Sequence, residues 1–214
     1  MAIAFDAAHV DNTQSSSPYT HTHTASGSNR FVVVGIGYTA SSQTITGVTY
    51  DGVAMTQRVS SAGDSASAYD HQFWTLKNPN TTANANVTVT WTGGGNAFFY
   101  IASYTGVVGD YDTSTHGPSA SSPLTLTLTT GQSNCWTIMM CSDAGSLPSA
   151  GAGTTNRGTD AATWLFGDSN AAVSGSTSLQ GTWTGGGGGA GVMLSFSPTS
   201  ASTSHTLSAT GVGS

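Results

Sequence analysis

Two stretches of the chain repeat each other in register, and this internal repeat constrains the fold more than any other feature. Residues 18–31, PYTHTHTASGSNRF, align without a gap with residues 123–136, PLTLTLTTGQSNCW, at an offset of 105 residues. A second match joins residues 90–104 to residues 182–196 at an offset of 92, through a shared TWTGGG. Because a repeat of this length indicates one structural unit used twice, we interpret the chain as two diverged copies of one β-rich unit.

Apolar and Thr residues alternate along several segments, as expected for strands that are packed on one face and exposed on the other. Tyr19, His21 and His23 alternate with Thr in this way, and so do the apolar residues of 87–92 and 124–129. Turn signals separate the segments, among them Asp51-Gly52, which is typical of a type I′ hairpin. Further strands are predicted at residues 30–38, 45–50, 53–59, 70–77, 97–105, 134–141, 162–167 and 190–197.

The pattern predicts an all-β fold of antiparallel strands with little or no helix. Each copy offers only five or six predicted strands, and the connection at residues 107–122 is compact. We therefore expect one jelly-roll-like β-sandwich to which both halves contribute, rather than two tandem domains. Its expected parts are an N-terminal arm with the first strand (1–17), a sandwich (18–197, with pseudo-repeats 18–107 and 123–197) and a Ser/Thr-rich tail (198–214).

Charged residues make up only 7% of the chain, against about 25% in an ordinary soluble domain. The net charge is −6 and the four cations are scattered, whereas a nucleic-acid-binding protein needs clustered Lys and Arg. The apolar runs are too short for a transmembrane helix, and the N-terminus lacks the pattern of a signal peptide. We therefore expect neither a nucleic-acid partner nor a membrane. A virion protein, made inside the cell and exposed outside it, reconciles the charge-poor surface with the missing signal. The competing explanation is a mature secreted fragment whose signal has been removed, although the initial Met counts against it.

His21 and His23 are the first candidates for chemistry, because residues two apart on a strand place both rings on one face. This spacing permits metal ligation, with His9, His71 or His116 as a third ligand. In the other copy the matching residues are Leu126 and Leu128. The favoured interpretation of the pair is therefore structural or at an interface, with a metal site or a pH-sensitive contact as alternatives.

The remaining candidates have ordinary structural explanations. Asp110 and Asp112 stand in a loop that Ca²⁺ would suit, although such pairs are common without an ion. Asp70 and His71 are neighbours on a predicted strand and point to opposite faces, which makes a direct acid–base dyad poor. Trp91 and Trp183 match in the repeat and follow the apolar side of their strands, which indicates core packing; Trp74, Trp136 and Trp164 are left open.

Cys135 and Cys141 lie on one predicted strand and are too far apart to form a disulfide with each other. We interpret both as small residues that face the core, with a disulfide to another molecule as the alternative. Nucleophile-elbow, HExxH and P-loop motifs are missing from the sequence. The sequence therefore predicts no enzyme and no cofactor.

Nine segments carry a family resemblance that covers nearly the whole chain up to Pro198. They are FDAA (5–8), SNRFVVVGIGY (28–38), ITGVTYDGVAMT (45–56), FWTLKNP (73–79), ANVTVTW (85–91), IASYTGV (101–107), SLPSAGAGTTNRG (146–158), TWTGGG (182–187) and VMLSFSP (192–198). Together they resemble a β-sandwich module of phage structural proteins and large secreted bacterial proteins. The resemblance implies a jelly-roll-like domain that acts by surface contact, and as a short chain it is similar to a phage capsid decoration protein.

The function expected from this resemblance is decoration of the exterior of a capsid, with the major capsid protein or another virion protein as partner and with homo-oligomers on the particle. Alternatives are a tail, fibre or receptor-binding module that recognises a glycan, and a self-assembling extracellular filament subunit. The segment Met1–Asp11 and the tail do not fit the repeat, and we therefore expect them to contact other subunits. The predicted contact residues are Ile3, Phe5, His21, His23, His205 and Leu207.

Overall fold

The computed structural model describes residues 2–39, 42–62, 69–143, 146–159, 163–185 and 187–198, which form seventeen strands and no helix. None of this part of the chain could therefore cross a membrane as a helix. The strands are β1 (Ala4–Gln14), β2 (Tyr19–His23), β3 (Phe31–Thr39), β4 (Gln43–Tyr50), β5 (Val53–Ala54), β6 (Thr56–Ser60), β7 (Tyr69–Lys77), β8 (Ala85–Gly93), β9 (Ala97–Thr105), β10 (Tyr111–Ser119), β11 (Leu124–Thr129), β12 (Trp136–Asp143), β13 (Ser149–Ala150), β14 (Thr155–Thr159), β15 (Trp164–Asp168), β16 (Ser176–Thr182) and β17 (Gly189–Phe196).

The strands form four antiparallel sheets, two in each half of the chain. In the first half, inner sheet 1 has the order β1-β9-β3-β7-β6 and outer sheet 1 the order β2-β8-β4-β5. In the second half, inner sheet 2 has the order β10-β17-β12-β15-β14 and outer sheet 2 the order β11-β16-β13. The two inner sheets face each other and each outer sheet covers one of them, so the molecule is a stack of four layers.

The two halves share one strand order. Strands β10, β17, β12, β15 and β14 take the places in inner sheet 2 that β1, β9, β3, β7 and β6 take in inner sheet 1. Strands β11, β16 and β13 likewise correspond to β2, β8 and β4. The contacts between the inner sheets are reciprocal, because β1 contacts β14 while its counterpart β10 contacts β6.

The middle core lies between the inner sheets and consists largely of aromatic side chains. Alternate residues of one strand serve different cores: Val33 faces the middle core, whereas Val32 and Val34 face outer sheet 1. Inner strands are thus buried on both faces, which explains their nearly continuous apolar sequences. The fully buried rings of the middle core are Phe31, Phe73, Tyr100, Tyr104, Trp164, Phe166 and Phe196.

The outer sheets each bury one face and expose the other. On β11 the three Leu residues are buried and the Thr residues between them are exposed, and β8 shows the same alternation. Hydroxyl groups pair across the exposed faces, with Thr20 Oγ1 3.2 Å from Thr88 Oγ1 and Thr127 Oγ1 2.7 Å from Ser178 Oγ. Both ends of the stack therefore present uncharged hydroxyl-rich surfaces.

The predicted all-β antiparallel fold is confirmed. The structure has four layers where one sandwich shared by both halves was expected, because each half has its own pair of sheets. Asp51 and Gly52 adopt φ values of 49° and 78° between the paired residues Tyr50 and Val53, as a type I′ hairpin requires. The predicted strand 53–59 is divided between two sheets, since Met55 separates β5 from β6.

The segment 1–17, interpreted as an arm with the first strand, and the connection at 107–122 each contain an edge strand. The arm contains β1, which pairs with β9 and takes the place in inner sheet 1 that β10 takes in inner sheet 2. The connection at 107–122 contains β10, which pairs with β17. Both sequences are polar and only weakly alternating, because an edge strand needs less apolar surface than an inner one. The tail from residue 199 onward, with His205 and Leu207, lies outside the described residues.

Gly37 generates the first prediction, because a Cβ atom there would lie 2.0 Å from Cζ3 of Trp164 in the opposite half. The ring sits in a fully buried position and cannot move without repacking the middle core. We expect Gly37→Ala to lower the free energy of unfolding by about 1–3 kcal/mol. Urea denaturation followed by Trp fluorescence measures this change.

The matched control is Gly94→Ala, since a Cβ at this exposed position meets nothing within 4 Å. Its stability should stay within about 0.5 kcal/mol of the wild type. Equal stability of Gly37→Ala and the wild type would contradict the close approach of the two inner sheets.

Candidate functional site

Two edge strands, β1 and β2, bring three potential metal ligands together. We call the edge of the first half that these two strands form its open side. Strand β1 is an edge of inner sheet 1, and β2 is an edge of outer sheet 1. On β1, Phe5, Ala8 and Val10 pack against the middle core, and His9 and Asp11 project from the opposite face. His21 reaches them from β2, so the cluster closes the gap between the two sheets.

The three side chains are in close contact. Oδ2 of Asp11 lies 3.1 Å from Nε2 of His9 and 3.1 Å from Nδ1 of His21. The two imidazole rings stack with centroids 3.5 Å apart and planes inclined by 12°. All three side chains are partly exposed. Partial burial, followed by the neighbouring His9, lowers the pKa of His21 against the opposing effect of Asp11.

His23 belongs to a separate buried network beneath this cluster. Its Nε2 lies 3.0 Å from Oγ of Ser103, and that hydroxyl donates to Oδ2 of Asp6 at 2.7 Å. The serine therefore stands between the imidazole and the carboxylate. In a catalytic triad the histidine takes that middle place and accepts the serine proton. Since the Ser103 proton is directed to Asp6, the network holds β1, β2 and β9 together and does not activate a nucleophile.

His71 is fully buried between the two halves. Its Nδ1 lies 3.0 Å from Oγ of Ser61, and its Nε2 lies 2.9 Å from Oγ of Ser142 on inner sheet 2. Both ring nitrogens thus contact serine hydroxyls, and His71 is not among the described residues that lie together with His21. His116 lies on β10 in the other half, also outside the cluster.

A second polar link between the halves is centred on Asp168. Arg157 donates through Nε to Oδ2 of this buried carboxylate at 2.7 Å, and the hydroxyl of Tyr104 donates to the same oxygen at 3.1 Å. Burial and the neighbouring Asp168 raise the pKa of Tyr104 well above its ordinary value. The guanidinium also covers the ring of Phe5, 4.2 Å from its centroid.

The residues predicted to contact other subunits differ in their burial. Ile3 is 6% exposed and Phe5 packs edge-on against Tyr104, so packing within this chain accounts for both side chains. His21 is partly exposed in the cluster, and His23 is buried. Contact of any of them with another subunit stays a prediction.

The other candidate residues are engaged in hydrogen bonds, ion pairs or core packing within this chain. Asp112 accepts hydrogen bonds from the backbone N–H of Gly131 and from Oγ of Ser195, and Asp110 pairs with Arg58. Cys135 and Cys141 are free and buried, as predicted, and burial raises the pKa of both thiols to about 12. Trp91 and Trp183 lie in the cores, as predicted, and so do Trp136 and Trp164. Trp74 is partly buried and donates to Gln72.

Asp11 is the site residue that sequence reasoning missed. The pattern His9-x-Asp11 places both side chains on one face of a strand, and this signal was present in the sequence. Its partner could not be inferred, because β1 and β2 belong to different sheets and no hairpin joins them.

The chain matches no protein-family model, no curated protein and no solved structure.

Buried histidines generate a prediction about pH. Burial lowers the pKa of His71 to about 3 and that of His23 to about 4, below the ordinary value of 6.5. Between these values the unfolded chain binds protons that the folded chain does not, so acidification favours unfolding. We expect the free energy of unfolding to fall as pH drops from about 6.5 to 4, by up to about 1.4 kcal/mol per pH unit for each histidine.

The measurement is urea denaturation in EDTA at several pH values, with His71→Gln beside the wild type. The variant should lose stability at neutral pH and show a shallower dependence on pH. His116→Gln replaces an exposed histidine and serves as the control. If His71→Gln retained the full slope of the wild type, the buried imidazole would not be its source.

Proposed function

We propose that this protein is a structural component of a phage particle that decorates the exterior of the capsid shell. The observation that carries the proposal is the four-layered body with an uncharged hydroxyl-rich sheet at each end. In this role the protein would act mechanically, through area buried against the shell and against neighbouring copies. The family resemblance of the sequence supports the same role.

The architecture supports a role in contact rather than in catalysis. Three cores hold the four layers together, and polar links such as the hydrogen bond from Tyr104 to Asp168 join the two halves. A body of this kind transmits load across its full thickness without a hinge between domains. The arrangement that comes nearest to a catalytic triad, Asp6–Ser103–His23, has its serine in the wrong place for catalysis.

The outward faces of the outer sheets support attachment through hydrogen bonds and close packing. Their exposed residues are mostly Thr and Ser, whose hydroxyl groups both donate and accept. Short β-branched side chains lose little conformational entropy when a partner covers them. Because these faces carry no Lys or Arg, binding to them should depend only weakly on salt.

The burial of tryptophan weakens the carbohydrate-binding alternative. Sugar recognition by stacking needs exposed aromatic rings, and four of the five Trp residues are at most 7% exposed. Trp74 is the remaining one and is already engaged with Gln72. The alternative of a self-assembling filament subunit is tested separately, because it requires that the purified chain form filaments without a partner.

The proposal is tested first by quantitative mass spectrometry of purified particles from the source. We expect this chain in hundreds of copies per particle, in a fixed ratio to the major shell protein. A few copies would indicate a tail or fibre component. Absence from particles would overturn the proposal and direct attention to glycan arrays and filament assays.

Attachment is tested with charged variants of the two exposed faces. Thr22→Lys alters outer sheet 1 and Thr129→Lys alters outer sheet 2, and both side chains are exposed, so both variants should fold. We expect at least one of them to lose rebinding to particles from which the protein has been removed. Full rebinding by both folded variants would contradict attachment through the outer sheets.

A further inference from the structure

We propose that His9, Asp11 and His21 bind one divalent transition-metal ion of the zinc class. This inference does not rest on the proposed function. Each residue offers one ligand atom, and the three atoms lie within 4.8 Å of one another. They come from two strands of different sheets, so a bound ion would connect inner sheet 1 to outer sheet 1.

The spacing of the ligand atoms suits a tetrahedral ion. Bonds of about 2.0–2.1 Å from zinc to nitrogen or oxygen place neighbouring ligand atoms about 3.4 Å apart. The two distances from Oδ2 of Asp11 to the imidazole nitrogens are both 3.1 Å. The two rings are stacked with nearly parallel planes, so binding one ion requires them to turn until both lone pairs meet at one point beside the carboxylate. Three protein ligands leave at least one coordination position for water.

The polar contacts within the cluster leave Nε2 of His9 available to bind a metal ion. Nε2 of His9 is shielded from solvent and makes no hydrogen bond to the described residues, although Asp11 lies beside it. A shielded nitrogen without a hydrogen bond is costly unless something else satisfies it. A metal ion would satisfy His9, Asp11 and His21 together.

The donor set indicates the kind of ion. Two imidazoles and one carboxylate suit zinc, nickel, cobalt or copper, whereas Mg²⁺ and Ca²⁺ prefer oxygen ligands throughout. The second half of the chain offers a natural comparison, because Leu126 takes the place of His21 and is buried in an apolar core. The proposed site is therefore specific to the first half.

A bound ion would stabilise the open side of the first half. Strand β1 ends its regular pairing near the cluster, with a register shift between Asp11 and Gln14. Strand β2 is short and, among the strands that the structure describes, pairs with β8 alone. Since the unfolded chain does not hold the three ligands together, metal binding should favour the folded state.

The experiment uses the full chain after removal of metal with EDTA. Titration calorimetry with ZnCl₂ should show one ion per chain, and the melting temperature should rise with zinc concentration. MgCl₂ at the same concentrations should produce neither effect. Absence of zinc binding, or binding of Mg²⁺ as tight as that of zinc, would overturn the proposal.

Three variants locate the site: His9→Gln, Asp11→Asn and His21→Leu. The first two replace partly exposed ligands by uncharged amides of similar size, and the third installs the residue of the second half. Each should weaken zinc binding by about tenfold or more and remove most of the rise in melting temperature. Cooperative melting in EDTA verifies that each variant is folded.

His116→Gln is the matched control, because it removes an exposed histidine from the other half. Zinc affinity equal to that of the wild type is expected for this variant. Wild-type affinity in all three cluster variants, or a loss confined to His116→Gln, would place the zinc elsewhere and overturn the assignment.

Discussion

The middle core is the constraint on which the rest of the structure depends. Two five-stranded sheets face each other there, and each is covered on its other side by a smaller sheet. The inner strands must therefore be apolar on both faces, which accounts for runs such as Phe31–Val34. It also requires small residues where the sheets approach most closely, as at Gly37 beneath Trp164. Neither half could expose this surface to water without a large loss of stability, because apolar burial contributes about 25 cal/mol for each Å².

Burial on this scale limits which polar groups the interior can hold. The two that lie between the halves are paired: His71 is held between two serine hydroxyls, and Asp168 accepts from both Arg157 and Tyr104. Each pairing joins residues of both halves, so the polar groups fix how the inner sheets are placed against each other. For the Arg157–Asp168 ion pair, desolvation of the two charges offsets much of their attraction, so the pair contributes little to net stability.

The sequence predicted the strands whose residue pattern depends on their own environment alone, such as strands with one buried and one exposed face. Alternation along β8 and β11 identified strands with one buried face, and Asp51-Gly52 identified a hairpin through the φ values that it requires. It predicted β1 and β10 poorly, because edge strands are specified by their partners more than by their own apolar residues. The four-layer order was not predictable either, since a strand that is buried on both faces has the same pattern whichever sheets cover it. The candidate site combines both cases: the position of His21 followed from periodicity, whereas its contact with His9 and Asp11 arises from packing between sheets.

The two halves share a strand order and differ at the edge where β1 meets β2. In the second half the corresponding strand buries Leu124, Leu126 and Leu128, so apolar side chains fill that edge. In the first half Tyr19, His21 and His23 take these positions, and polar contacts close it. Replacing Leu by His in a sandwich edge costs apolar burial and requires a partner for each ring nitrogen. Ser103 provides one for His23, whereas the partly exposed cluster of His9, Asp11 and His21 is completed most simply by an ion. The departure from the repeat is thus where a function specific to one half of the chain is to be sought.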